Sequence, residues 1–416
     1  MHSAGTDSRR KGRLNVSDVG VKFGSTELAA ATTRVVFRLV VLSTLLLIAD
    51  RPAEAQTEIV LYSFAGGSHG SGPDSRLTSD GAGNFYGTTA SGGLGAGTVF
   101  RLSPNGYGGW KETVLYSFCS ASNCVDGANP MYSYLTFDGA GNLYGTTYAG
   151  GAYGVGVVFE LSPVGKSWKE TVLYSFPGGT AHGYSPVNGL IMDTSGHLYG
   201  TVLGGVFELS PSGGGWTERV IYAVSTGMGG AGLTMDAAGN IFGVGYSKVF
   251  ELSPNGNGGW NPTVIHTFNA GLLPEGTPVL DQAGNLYGTT FYGGAKGYGT
   301  VYKLSRGMTG KWIEKVLYSF QSGIDGSDPW AGIMFDPSGN IYGTTARGGN
   351  SGAGTVFELV APVGTGSYKE KVLWSFNGTD GNQPLGSLIL DSAGNLYGTT
   401  NAGGSKYSGV VFEVRQ

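Results

Sequence analysis

The sequence predicts an all-β fold, a seven-bladed β-propeller of four-stranded blades, and three observations carry that prediction. The pattern Asp-x-x-Gly-Asn (once Asp-x-x-Gly-His), followed by an aromatic strand that contains Gly, starts at Asp80, Asp138, Asp193, Asp236, Asp281, Asp336 and Asp391, at intervals of 43 to 58 residues. Periods of this size mark propellers or solenoids. Glycine supplies 77 of the 416 residues, against an average usage of roughly 7%, and it shows no every-third-residue register, which excludes collagen. Finally, four strand-like runs lie between successive Asp residues, the content of one propeller blade.

The second blade shows the runs most clearly: Pro130–Asp138, Asn142–Thr147, Gly156–Leu161 and Trp168–Phe176. Between the first two, Asp138-Gly-Ala-Gly-Asn142 is a turn in which the Asp side chain caps backbone N–H groups and Gly supplies positive φ. The fourth run carries charge near its start, as in Lys111 and Glu112, Lys169 and Glu170, Glu218 and Arg219, Glu314 and Lys315, and it holds Pro262 in one blade. Charge and proline protect edge strands, so this run belongs at the rim. The first run opens with proline seven residues before its Asp (Pro73, Pro186, Pro274, Pro329 and Pro384), or eight at Pro130. It is the inner edge and lines the channel.

Ring closure is legible as well. The last blade stops after a third strand, Gly409–Val414, and its missing outer strand stands near the other end, where Gln56–Phe64 aligns with Trp110–Phe118. The strand at about 56–64 is therefore expected to complete the seventh blade, and residues 56–416 to form a single propeller domain.

Residues 1–55 read as a separate leader. Arg9, Arg10, Lys11, Arg13, Lys22, Arg34 and Arg38 precede the apolar run Leu39–Ala49, and Ala53-Glu54-Ala55 gives a small-x-small cleavage site, the pattern of a secretory signal. The run is shorter than the ~17–25 residues a bilayer span needs, so no membrane span is expected in the mature chain. The expected location is outside the cytoplasm: extracellular, on the cell surface or periplasmic. In such an oxidising compartment Cys119 and Cys124, the only cysteines, are expected to form a small-loop disulfide. A formal charge of −4 gives no reason to expect nucleic acid as a partner, and a monomer is expected.

The unit Gly-Asn-Leu-Tyr-Gly-Thr-Thr (141–147), then Gly150-Gly151, then 156–161, recurs at 83–102, 284–304, 339–359 and 394–414. It resembles the GloVer tandem repeats of exported bacterial proteins, which often carry a C-terminal surface anchor. More loosely it is similar to NHL-type propeller repeats. The resemblance implies export and fold, and it transfers no activity. Blades three and four depart from it: Thr201–Gly205 and Val244–Lys248 replace the usual second-to-third loop, and His197 stands where Asn is usual.

The seven motif Asp residues are read as turn caps. A calcium ion needs six to eight converging oxygens, which turns spread around a ring do not provide. Glu160, Glu208, Glu251, Glu358 and Glu413 share one third-strand position, which Arg101 and Lys303 fill in two blades. Solvated or inter-blade roles are expected there. Function is expected on the loops joining second to third strands and blade to blade, which should emerge on one face. They bring Tyr148, Tyr153, Tyr184, Phe291, Tyr292, Tyr298, Asp328, Trp330 and Tyr407, together with Asp126, Asp325 and Asp380. Aromatics beside carboxylates suit sugar rings or protein partners, and the short loops of blades three and four should leave a notch for ligand entry.

A binding module for carbohydrate or protein is the first functional expectation. A propeller lyase, hydrolase or lactonase with its site at the channel mouth, and a structural envelope component, are the alternatives. His69 and His182 could face the channel, but His69, His182, His197 and His266 show no metal-ligand spacing, and no catalytic residue, metal or cofactor is assigned. No nucleophile elbow, zinc helix or phosphate loop is present.

Overall fold

The structure, a computed structural model, describes residues 56–179, 181–224, 231–269 and 272–416. The leader read from the sequence lies outside the described residues. Seven antiparallel sheets of four strands form the ring. In blade one the inner strand is Thr78–Ser79, followed outward by Phe85–Thr89, Thr98–Pro104 and Trp110–Ser117. Blade seven runs Ile389–Leu390, Leu396–Thr400 and Val410–Arg415, and Thr57–Ser63 closes it on the outside. That closing ladder pairs Thr57 with Arg415 and Ser63 with Val410.

The inner strand is much shorter than its sequence suggests. Six blades have a two-residue inner strand, and only blade three extends it, over Tyr184–Met192. The reason is crowding at the axis, where the proline-led segment of one blade runs against its neighbour's backbone. A Cβ on Gly332 would lie 2.7 Å from the Thr277 carbonyl oxygen, so this approach needs glycine.

Packing repeats seam by seam. In five blades the third-strand Phe meets the Phe that follows the preceding outer strand: Phe64–Phe100, Phe118–Phe159, Phe176–Phe207, Phe320–Phe357 and Phe376–Phe412 sit edge to face at 5.0–5.2 Å. Phe268–Tyr302 does the same at 4.9 Å, while in blade four Phe250 packs tilted on Tyr222 at 4.7 Å. Such pairs are worth about 0.5–1.5 kcal/mol each beyond their buried area. The Gly of the second strand makes room for this ring: a Cβ on Gly145 would lie 2.6 Å from the Phe159 ring.

A polar ring lies inside the aromatic one. The first Thr of each Gly-Thr-Thr donates across the seam to a backbone carbonyl of the next blade's inner segment: Thr88 to Ser133, Thr146 to Asn188, Thr289 to Ala331 and Thr344 to Pro384. Thr399 to Ser75 closes the circle at 2.9 Å. Blade four carries Val244 at this position, and there the Gly232 N–H instead donates to Thr277.

Each motif Asp closes its own turn. Asp138 accepts from the N–H groups of Ala140 and Asn142, the Asn142 amide and the Tyr144 hydroxyl. Burial pushes this carboxyl up, but the hydrogen bonds from Asn142 and its neighbours outweigh it and hold Asp138 below the ordinary range. His197 replaces the Asn with Nδ1 at 2.8 Å from Asp193. The turn-cap reading describes these residues fully.

Candidate functional site

The second-to-third loops and the blade-to-blade loops lie against each other on one face, as single bridges between them show: Ser71 with Ser91, Ala128 with Ala149, Ser327 with Arg347 and Asn382 with Ala402. Blades three and four turn there in tight hairpins, at Gly204 and at Tyr246–Ser247, where the other blades carry long loops.

A cavity of about 360 Å3 lies among the inner segments of the ring, whose proline-led starts follow the blade-to-blade loops of this face. The residue after the inner proline reaches it from four blades, as Asp74, Glu275, Trp330 and Leu385, joined by Arg76, Tyr132, Tyr134 and Asn188. Trp330 stacks on Tyr132 at 5.9 Å and meets Phe291 edge to face at 5.4 Å, and Phe291 in turn packs on Tyr292 at 4.6 Å. An aromatic path therefore runs from the loop face into the channel. In the same cavity the Arg76 guanidinium lies 4.4 Å over the Tyr134 ring, a cation–π contact.

Asp74 is the most perturbed group at this mouth. Its side chain is buried, and one oxygen accepts the Tyr132 N–H at 2.9 Å. Burial raises its pKa to about 7, although the Tyr132 N–H bond pulls the other way. The Tyr132 hydroxyl is pushed up to about 12 by burial and by the charges of Asp74 and Glu275. Perturbed titratable groups of this kind in a cleft are candidates for function.

The sequence-selected residues scatter around this centre. Trp330, Phe291 and Tyr292 come together, but Phe291 is buried beneath the loop and not exposed as an exposed-aromatic reading requires. Asp328 is also buried, and Arg347 donates to it at 3.1 Å. Tyr148 is half-buried, Tyr153, Tyr298 and Tyr407 are exposed on the loops of several blades, and Tyr184, expected in a loop, is exposed as the first residue of blade three's inner strand. Cys119 and Cys124 are joined in a disulfide in the loop between blades one and two.

His69 and His182 do not face the channel. They lie at the outer seams, with Nδ1 3.0 Å from Glu112 and 2.7 Å from Glu218 respectively, because rim-strand glutamates buried between neighbouring blades recruit them. Three other seams use Asp instead. Burial, then the charge of Asp126, lifts Glu170 to about 7; burial and Asp325 do the same to Glu370. Burial and Asp380 lift Glu58 to about 8. The shared third-strand glutamates are not solvated as a group either, since Glu251, Glu358 and Glu413 are buried beside Arg306, Lys371 and Arg415. Among the described residues no three His, Cys, Asp or Glu gather as a metal site, and no helix is long and apolar enough to cross a membrane.

Ring, blades and closure define a seven-bladed β-propeller repeat protein. The Gloeobacter/Verrucomicrobia repeat matches residues 51–205, 96–270 and 244–416, and the chain belongs to that family. No curated protein matches the sequence. Among solved structures, a streptogramin B lyase is 16% identical with a TM-score of 0.55, over 87% of this chain and 99% of its own. A catalytically inactive virginiamycin B lyase from Staphylococcus aureus is 13% identical with a TM-score of 0.57, over 87% and 99%. An extracellular domain assigned to a hybrid two component system of B. thetaiotaomicron is 14% identical with a TM-score of 0.56, over 88% of this chain and 43% of its own. At these identities the likeness is one of fold.

Proposed function

We propose that this protein is an exported binding module that takes a carbohydrate or protein ligand at the loop-face mouth of its channel. The observation that carries the reading is the continuous aromatic path Tyr292–Phe291–Trp330–Tyr132, which leads into a cavity edged by Asp74, Arg76 and Glu275. Flat rings beside charged and amide groups suit a ligand with apolar faces and polar edges, and a concave site of this size is where ligands bind. The tight hairpins of blades three and four leave the approach open on that side.

The test is binding of residues 56–416 to a broad panel of neutral and charged glycans, with and without calcium, followed by pull-downs from the cell envelope. Saturable binding that falls at least about tenfold in Trp330→Ala and Tyr292→Ala supports the reading, a loss of the size expected for an aromatic anchor. Binding unaffected by both variants places recognition elsewhere.

A second reading has its own observation. Asp74, buried with its pKa lifted to about 7, is poised for proton transfer near neutral pH, as a propeller lyase or hydrolase would need. Turnover of any bound panel member, abolished in Asp74→Asn, would favour it over simple binding.

A further inference from the structure

The seams between blades one and two and between blades four and five contain the same groove with opposite chemistry. The four–five groove, of about 520 Å3, is lined by Glu251, Thr263, Arg306, Lys311 and Trp312. Arg306 donates twice to Glu251, at 2.9 and 3.0 Å, and its guanidinium lies 4.7 Å over the Trp312 ring. In the three–four seam the equivalent Glu208 accepts from the Trp260 indole N–H at 3.0 Å and from Arg219 at 2.7 Å. The chain thus supplies its own carboxylate to the cations and indole at both seams.

The one–two groove, of about 570 Å3, is lined by Arg101, Thr113, Pro163, Lys166, Ser167 and Trp168. Arg101 holds the position of Glu251, and Pro163 holds that of Arg306. The acid is therefore replaced by a base, and the Arg that covers the tryptophan is gone. Arg101 Nε is buried with no hydrogen-bond partner. Among the described residues neither Arg101 nor Lys166 has an ion-pair partner. Lys303, the other base at this third-strand position, does find one, in Asp281 at 3.8 Å. Of these two bases Arg101 is, among the described residues, the one left without an acid, its guanidinium lying beside the Tyr86 hydroxyl.

We propose that the one–two groove is an anion site that takes the carboxylate of an acidic saccharide, a uronic-acid unit. A carboxylate is the group that fills the equivalent place in the sister seams, and the Arg fork recognises it two-fold. The neighbouring surface is the Trp168 indole and Pro163, a flat apolar wall on which a sugar ring can lie. The site is separate from the channel mouth and stands or falls independently of it.

The experiment is calorimetric titration of residues 56–416 with a galacturonate trimer, and in parallel with its methyl ester, inorganic phosphate and a short poly-glutamate. Saturable binding of the trimer is expected, weakening as salt rises. In Arg101→Glu, which restores the acid found in five sister blades, binding should fall at least about tenfold, since a hydrogen-bonded charge contributes at that scale. The same variant should melt like the wild type, so that lost binding is not lost fold. Hydrogen exchange should show protection by the trimer in peptides covering 98–104 and 163–168. Failure of the wild type to bind the trimer, or equal binding by Arg101→Glu, overturns the site. Equal affinity for the ester, phosphate or poly-glutamate overturns the ligand class.

Discussion

The Asp turns and the channel mouth are built from equivalent positions of the same repeat, yet they behave oppositely. At the turns six blades give one answer: Asp80, Asp138, Asp236, Asp281, Asp336 and Asp391 each accept from the backbone N–H two and four residues on and from an Asn amide. Blade three keeps the same backbone contacts at Asp193, with His197 in place of the Asn. At the mouth the residue following the inner proline is Asp74 in one blade, then Glu275, Trp330 and Leu385 in others. A position that must close a turn has one solution, whereas a position facing an open channel is free to differ. Identity among blades therefore marks scaffold, and difference among blades marks the positions where the proposed recognition would sit.

Substitutions can break that contrast, and the largest effect is expected at a turn. Asp138→Ala removes four acceptor contacts and should cost about 2 kcal/mol, read as a lower melting temperature, with ligand binding intact below the transition. Thr399→Val removes the bond that closes the polar ring and should cost about 1 kcal/mol, measurable by denaturant titration. If either change altered binding without altering stability, the division between scaffold and recognition would fail.

The outer seams sharpen the contrast through pH. The folded pKa of Glu58, about 8, lies above its unfolded value, so the native state binds more protons between roughly pH 4.5 and 8 and stability from this group falls as pH rises. Glu170 and Glu370, at about 7, act in the same direction. The turn Asp residues act oppositely: Asp80, Asp138, Asp193, Asp281 and Asp391 are held low, so their contribution is present above the ordinary Asp range and is lost as pH falls through it. Melting temperature should therefore peak in mildly acid solution. Glu58→Gln should raise it at pH 8 and leave it nearly unchanged at pH 5, and an equal gain at both values would contradict the assignment. Asp74→Asn should give a smaller shift of the same sign between pH 5 and 8, since burial lifts Asp74 to about 7.

The sequence made the repeated features readable. Blade number, strand order, the rim charges and the closing strand all follow from patterns stated seven times, and the structure has them. What was not legible depended on neighbours across a seam. Pro130–Leu135 reads as strand, but its backbone lies against the next blade and forms no ladder until Thr136. His69 and His182 read as channel residues because their loops lead inward, while buried rim glutamates hold their side chains at the outside. Trp330 and Tyr292 were visible as loop aromatics. Asp74, Arg76 and Tyr132 belong to no repeated motif, and the signal for them is their place just after the inner proline of blades one and two, where blade-by-blade comparison separates them from the scaffold.

The most direct test of this account is a side-by-side titration of any ligand found in the panel against wild type, Trp330→Ala and Asp138→Ala, at a temperature where all three are folded. Trp330→Ala is expected to lose binding while Asp138→Ala binds as the wild type does. Loss in Asp138→Ala with retention in Trp330→Ala would place recognition on the repeated turns and contradict it.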